Sequence, residues 1–225
     1  MLVIAAFLFT GPEAKLPWLG YLYLTAVLTF RQPPIESLGA SQSLGRLHRP
    51  VGLTCMAAEA LWLLRPDLLR LVGPALLVLY TLFLGLCLRR LIHCLAAEER
   101  VDGAVLAGAT AGYLLLGLGG GLLLVLLESL QPGSFRDNIN GLTLVLPQDT
   151  KDIGGADWEQ TVQRLHYFSF VSLTTLGYGD LTPVKPAARL AAVALAVLGL
   201  LYTSVVLGVL ISRFGPIDPP SGRQR

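Results

Sequence analysis

Charge is scarce in this chain. Of its 225 residues, 14% are charged and 53% hydrophobic, whereas a soluble domain carries roughly 25% charged residues. The mean hydropathy of +0.63 means that most side chains face something other than water. The net charge of +2 is spread out, and no basic cluster is interleaved with aromatics, so nucleic acid is not an expected partner. Cysteine is sparse too. Cys55, Cys87 and Cys94 are odd in number and lie in or beside apolar runs, which argues against a disulfide framework or a zinc site and for small core residues. His48, His93 and His166 form no metal-ligand spacing. With no nucleophile–base pairing and no phosphate loop, neither an enzyme nor a cofactor is expected. The start of the chain lacks the basic n-region and cleavage site of a signal peptide and is read as part of the mature protein.

Long apolar runs, by contrast, are plentiful. They cover residues 1–10, 16–30, 51–64, 71–88, 103–127 and 187–212. A helix needs about 20 mostly apolar residues to cross the hydrocarbon. The last two runs meet this unaided, and the shorter ones can span if flanking residues snorkel or the bilayer thins. Glu13 and Lys15 interrupt any single span over 1–30. The expected fold is an all-α membrane protein with six transmembrane helices. Arg31, Arg46, His48 and Arg49 lie between the second and third runs, Arg89, Arg90 and Arg100 between the fourth and fifth, and Arg213, Arg223 and Arg225 after the last. Six alternating spans put these groups on one side, which the positive-inside rule makes cytoplasmic; only Arg65 and Arg70 dissent. Both termini are then expected in the cytoplasm, with the protein in the plasma (cell inner) membrane.

The segment 131–184 should face outward. Pro132-Gly133, Asn140-Gly141 and Gly154-Gly155 are turn signals, with a short strand expected over 142–146. From Trp158 to Leu173 the pattern turns helical, and Asp157 with Gln160 has capping-box spacing. Such a helix is too short to span, so it should dip in as a re-entrant element and stop part-way.

Directly after it comes Thr174-Thr175-Leu176-Gly177-Tyr178-Gly179-Asp180. A potassium ion entering a pore must exchange its water shell for oxygens of comparable number and field strength, which stacked rings of backbone carbonyls supply. Turning every carbonyl inward needs alternating left- and right-handed backbone, and Gly177 and Gly179, at alternate positions, tolerate the left-handed one. The carbonyls of Thr175, Leu176, Gly177 and Tyr178 would form the rings and the Thr175 hydroxyl the innermost site. The preceding helix would aim its negative C-terminal end at the central cavity. Irregular backbone at membrane depth is tolerated where protein buries it and water lines it.

At these residues the chain resembles the pore module of the tetrameric potassium channels, over an outer helix (103–127), a pore helix (158–173), the filter (174–180) and an inner helix (187–212). The carbonyl-ring chemistry is that family's own, and the resemblance implies it for this chain. Leu176 stands where Val or Ile is commoner, and Tyr178 is the potassium-selective choice where some non-selective relatives have Asp. Thr182-Pro183, with Pro186 and Arg189, resembles the family's exit from the filter. Thr174, Gly179, Asp180 and Tyr167 are the expected filter supports, with the Tyr167 hydroxyl holding Asp180. Val171 replaces a glutamate that some bacterial members pair with that aspartate, and Tyr167-Phe168 stands where many carry two tryptophans. Gly199 falls where the family often has a bending glycine, although close packing is an equal reason for it. Leu200, Thr203, Leu207 and Ile211 share a helical stripe with the cavity or gate.

The expected plan is a four-span region (1–100) without voltage-sensor charges, a pore domain (101–214) and a short cytoplasmic tail (215–225), too short for a ligand-binding gating domain. The fourth run holds no charge, so opening should be at most weakly voltage-dependent. Glu59, inside the third run, is costly there and suggests function, with a structural reading at least equal to it; His166, in the pore helix, could sense pH but is read first as structural. One filter per chain implies a homotetramer, with the lipid bilayer and potassium ions in the filter as the other partners. The rivals are a transporter with degenerate pore loops, which would need four in one chain, a non-selective cation channel, and a non-conducting scaffold or regulatory subunit.

Overall fold

The computed structural model describes residues 16–30, 42–64, 69–97, 103–144 and 156–213. Six helices carry most of them: α1 (Leu16–Phe30), α2 (Gln42–Leu64), α3 (Leu69–Ala97), α4 (Gly103–Leu130), α5 (Ala156–Leu173) and α6 (Pro186–Arg213). Three short strands, β1 (Phe135–Asp137), β2 (Leu142–Thr143) and β3 (Leu181–Pro183), lie between them. The apolar run at 1–10, the Gly154-Gly155 turn and the tail at 215–225 lie outside the described residues.

Three stretches among the described residues are long and apolar enough to cross a membrane: Gly73–Leu95, Gly103–Leu130 and Pro186–Val206. With them the chain reads as a mostly helical integral membrane protein. Helix α1 has 15 residues, about 22 Å at 1.5 Å per residue, short of the ~30 Å hydrocarbon core. Helix α2 has 23 residues and runs through Pro50, so it begins well before the expected 51. Arg46, His48 and Arg49 therefore sit on its first turns rather than in a loop. Likewise α3 continues past 88 and carries Arg89 and Arg90, so its apolar span is not free of charge. A helix need not end where its apolar run ends, because arginine is a good helix former whose stem lies along apolar surface.

The core lies between α3, α4 and α5, where Phe83, Leu84, Leu122, Leu124, Val125 and Leu165 are fully covered. Helix α1 closes over it through Tyr21. At the end of α4, Glu128 turns back and accepts the backbone N–H groups of Gly133 (2.6 Å) and Ser134 (2.9 Å). The Lys185 ammonium donates to the Pro132 carbonyl at 2.7 Å. These bonds reverse the chain into the strands.

The sheet has the order β2-β1-β3. Strand β1 pairs antiparallel with β2 across the turn Asn138–Gly141, where Gly141 has φ +69. It also pairs antiparallel with β3, with Phe135 opposite Pro183 and Asp137 opposite Leu181. Of the strand expected over 142–146, Leu142 and Thr143 are β; residues 145 and 146 lie outside the described residues. The partners β1 and β3 were not anticipated.

Helix α6 starts at Pro186, a residue preset for the first turn. It packs on α4 and α5 and leaves Leu190, Val193, Val197, Leu201 and Val205 exposed along its free side.

Candidate functional site: the 174–180 loop

The loop is positioned by α5, and α5 by a close seat on α4. At Gly117, Gly120 and Gly121 an added Cβ would collide with Phe170, Ser169 and His166, so these glycines let the two backbones approach. The Ser169 hydroxyl donates to the Gly117 carbonyl at 2.8 Å across that seat. Helix α5 begins at Ala156, two residues before expectation, which puts Asp157 inside the first turn; its side chain lies outside the described residues.

At the C-terminal end the sequence winds out of the helix in a defined way. The Thr175 N–H donates to the Ser172 carbonyl (3.0 Å) and the Leu176 N–H to the Val171 carbonyl (3.0 Å). Thr175 lies between them with φ 59. This is the bonding of a Schellman cap with Thr175 at the left-handed position usually held by glycine. A β-branched residue there is strained, and such strain gathers at functional sites. Thr174 adds a second tie, its hydroxyl donating to the Phe170 carbonyl at 2.7 Å.

From that cap the backbone alternates. Thr175 (φ 59), Gly177 (φ 57) and Gly179 (φ 78) are left-handed, and Leu176 and Tyr178 between them are not. The two glycines were expected in this conformation; Thr175 was not, because nothing in a threonine signals it. Among the described residues no donor engages the carbonyls of Thr175, Leu176, Gly177 or Tyr178. The next two carbonyls are taken: Asn138 donates from its carboxamide to Gly179 O (2.8 Å) and from its backbone N–H to Asp180 O (2.8 Å). The loop lies open on the single chain, with Leu176 57% and Tyr178 67% exposed.

Behind the loop, Tyr167 is near Asp180: burial and the neighbouring carboxylate push the phenol up to about 12. A hydrogen bond between the Tyr167 hydroxyl and the Asp180 carboxylate adds to that rise, while Asp180 Oδ1 is buried with no hydrogen-bond partner among the described residues. Phe168 packs edge-on against Phe135 with ring centroids 5.6 Å apart, and Val171 is buried. His166 donates from Nδ1 to the Val162 carbonyl (2.8 Å) and accepts at Nε2 from the Tyr21 hydroxyl (2.5 Å). It is a satisfied buried histidine linking α1 to α5. Glu59 accepts from the Thr25 hydroxyl at 3.2 Å, and Thr25 also bonds the Tyr80 hydroxyl, so α1 and α3 supply its neighbours.

On α6, Gly199 faces the end of α5, where a Cβ would overlap the Leu173 carbonyl. The Tyr113 hydroxyl donates to that same carbonyl at 3.3 Å. Gly199 thus has a packing reason of its own, and α6 runs on through it without a break. Leu200 and Thr203 lie on the open side, with the Thr203 hydroxyl turned back onto the Gly199 carbonyl at 2.8 Å. Leu207 and Ile211 lie further along α6, their side chains outside the described residues.

Comparison with known proteins places a likeness on this same region. Residues 151–215 match a family model described as "Ion channel". A rice protein (Oryza sativa subsp. japonica) called "Two pore potassium channel c" is 39% identical over 46 residues, which is 20% of this chain and 10% of that protein. The likeness therefore spans about a tenth of the relative's length. No solved structure matches the chain. The loop after α5 and the helix that follows it thus fall within a stretch similar to ion channels, in a chain with helices able to cross a membrane.

Proposed function

We propose that this chain is one subunit of a potassium-selective channel, with Thr175, Leu176, Gly177 and Tyr178 as its ion-binding carbonyls. The observation that carries the reading is the alternating backbone at 175, 177 and 179 together with four consecutive carbonyls that no donor engages among the described residues. Backbone carbonyls that face a pore axis shielded from bulk water need another partner, and a dehydrated cation is the partner whose chemistry suits a row of them. Helix α5 presents its C-terminal, partially negative end to the same region. Flux through such a path is passive, down the electrochemical gradient, and involves no catalysis.

A single loop cannot close a ring, so the reading requires four copies about one axis. The exposure of Leu176 and Tyr178 on the single chain supports a homotetramer, and the apolar face of α6 suits a neighbouring inner helix or lipid. In this arrangement α4 and α6 are the outer and inner helices, α5 is the re-entrant pore helix, and Leu200 and Thr203 line the inner cavity. The six spans, the cytoplasmic termini and the plasma-membrane location belong to the same proposal.

The test is ion flux with the purified protein in liposomes. A potassium gradient should drive efflux that barium blocks and sodium does not replace. Equal sodium and potassium flux would favour a non-selective cation channel. An absence of flux would favour a non-conducting scaffold or regulatory subunit. A conducting species with the mass of a monomer or dimer would remove the tetramer.

A further inference from the structure

The hairpin between α4 and α5 had no assigned role in the sequence, yet it touches both the pore helix and the loop. Phe135 of β1 is buried against Phe168 of α5. Two residues on, the Asp137 carboxylate accepts from the Arg164 guanidinium of α5 at 2.8 Å. The same carboxylate closes the hairpin turn, accepting from the Ile139 N–H (2.8 Å), the Asn140 N–H (3.2 Å) and the Asn140 carboxamide (2.7 Å). The hairpin is therefore fastened to the helix by one apolar and one charged contact. Its other edge is fastened to the chain that leaves the loop, through the β1–β3 pairing and the Val184 N–H donated to the Ser134 carbonyl at 2.8 Å.

Asn138 stands where these two attachments meet. Its backbone N–H continues the β1–β3 ladder by one step, onto the Asp180 carbonyl. Its carboxamide reaches one residue further, onto the Gly179 carbonyl at 2.8 Å, and touches the Thr182 hydroxyl at 3.2 Å. The run of unengaged carbonyls thus ends at Tyr178 because Asn138 occupies the next two. Resting on the channel reading, we propose that the hairpin is the filter's outer clamp and that Asn138 is its positioning residue, setting where the ion-binding ladder stops and resisting rotation of its outer peptide planes. Asn138 acts through Gly179 and Asp180 and does not itself touch the ion.

This assignment differs from a merely structural one in what it predicts about ions. Facing carbonyl dipoles repel one another unless a cation sits among them. A filter without its clamp depends more on that cation to hold its shape, so its conducting lifetime should lengthen when external potassium rises. A residue that only completes a surface sheet would not couple to potassium.

The experiment uses the full chain in planar bilayers, with wild type, Asn138→Ala, Asn138→Asp and Ile139→Ala. The alanine variant keeps the backbone bond and removes the carboxamide. The aspartate variant keeps the size and replaces the donor by an acceptor facing the Gly179 carbonyl. Ile139, a largely exposed residue of the same turn, serves as the control. Loss of one hydrogen bond of ordinary strength should shorten the conducting lifetime of both Asn138 variants by about three- to tenfold. Unit conductance and assembly mass should stay unchanged, high external potassium should partly restore the lifetime, and Ile139→Ala should match wild type. If wild type conducts potassium and both variants share its lifetime and potassium dependence, the clamp is wrong and the channel reading stands. If wild type passes no potassium, the channel reading fails and the clamp falls with it. If neither variant assembles, Asn138 serves folding alone and the positioning role is overturned.

Discussion

The inner end of the 174–180 loop is tied to the helix turn just before it, to the carbonyls of Phe170, Val171 and Ser172. The outer end is tied across 41 and 44 positions of sequence, through the Asn138 carboxamide on Gly179 and Thr182. Local ties form with the helix and add little loop-closure entropy. Distant ties exist only while the hairpin is in place, so the outer end depends on the tertiary structure around it and should open before the inner end does. The two ends also differ in what packs against them. The inner end meets Gly199 and the Tyr113 hydroxyl at the Leu173 carbonyl. The outer end carries a buried Asp180 oxygen without a partner among the described residues.

This contrast is sharpened by overfilling the inner end. Gly199→Ala would drive a methyl group into the Leu173 carbonyl, which as backbone has little room to give. Overpacking of this kind typically destabilises by about 1–3 kcal/mol. The assembled protein should melt at a lower temperature in detergent. The control is Gly208→Ala on the same helix, where nothing lies near an added Cβ and alanine should be neutral or better. If both variants melt alike, the packing account of Gly199 is wrong and the bending account regains ground. A smaller effect is expected from Thr174→Val, which keeps the shape and removes the hydroxyl bond to the Phe170 carbonyl. The loss should be about 1 kcal/mol in chemical unfolding, with potassium selectivity unchanged. A change in selectivity would mean that Thr174 acts on the ion path itself.

The outer end can be probed by acid. Bonds from Asn140 and Ile139, with the Arg164 guanidinium opposite, hold the Asp137 carboxyl below its usual range. A depressed carboxyl contributes its full stabilisation above the unfolded value, about 3.9, and loses it as pH falls through the lower folded value. Conducting lifetime should therefore stay level as the external solution goes from pH 7 to about 5 and fall only below about 4. A decline already complete by pH 5.5 would place the sensitivity in another group.

What was legible in the sequence follows the same division between local and distant. Helices α4 and α6 were plain from apolar runs longer than a span, and α5 with its loop from turn-rich flanks and the spacing of Gly177 and Gly179. The left-handed Thr175 was hidden, because its conformation is imposed by the cap that α5 makes with Ser172 and Val171. Strands β1 and β3 were hidden for another reason. Three residues are too few to show an alternating pattern, and each is stabilised by pairing with a partner far along the chain. Helix α2 was underestimated because its polar first turns carry no apolar period, although arginine and glutamine favour helix readily. The roles of Arg164 and Asp137 were invisible for want of any signal that a pore-helix arginine would meet a hairpin carboxylate.

The smallest effect should come from Tyr167→Phe, which asks whether the outer end has a second support. The phenol stands near Asp180, where burial, a hydrogen bond to the carboxylate and its charge hold the proton, while Asp180 Oδ1 remains unpartnered among the described residues. A charge-assisted bond is at its best roughly twice as strong as a neutral one, but this one holds the Asp180 side chain and not the filter backbone. The Asp180 carbonyl, moreover, is already engaged by the Asn138 N–H. Because that backbone bond is untouched in Tyr167→Phe, removing the hydroxyl while keeping the ring should shorten the conducting lifetime less than Asn138→Ala does, by no more than about twofold. The double variant separates the possibilities. If Tyr167 and Asn138 hold the outer end independently, their effects multiply. If the phenol's hold on Asp180 matters only when Asn138 is absent, Tyr167→Phe should be nearly silent alone and clearly harmful in the Asn138→Ala background. A single Tyr167→Phe variant that shortens the lifetime as much as Asn138→Ala would reverse this ranking and make the phenol, not the hairpin, the main support of the outer filter.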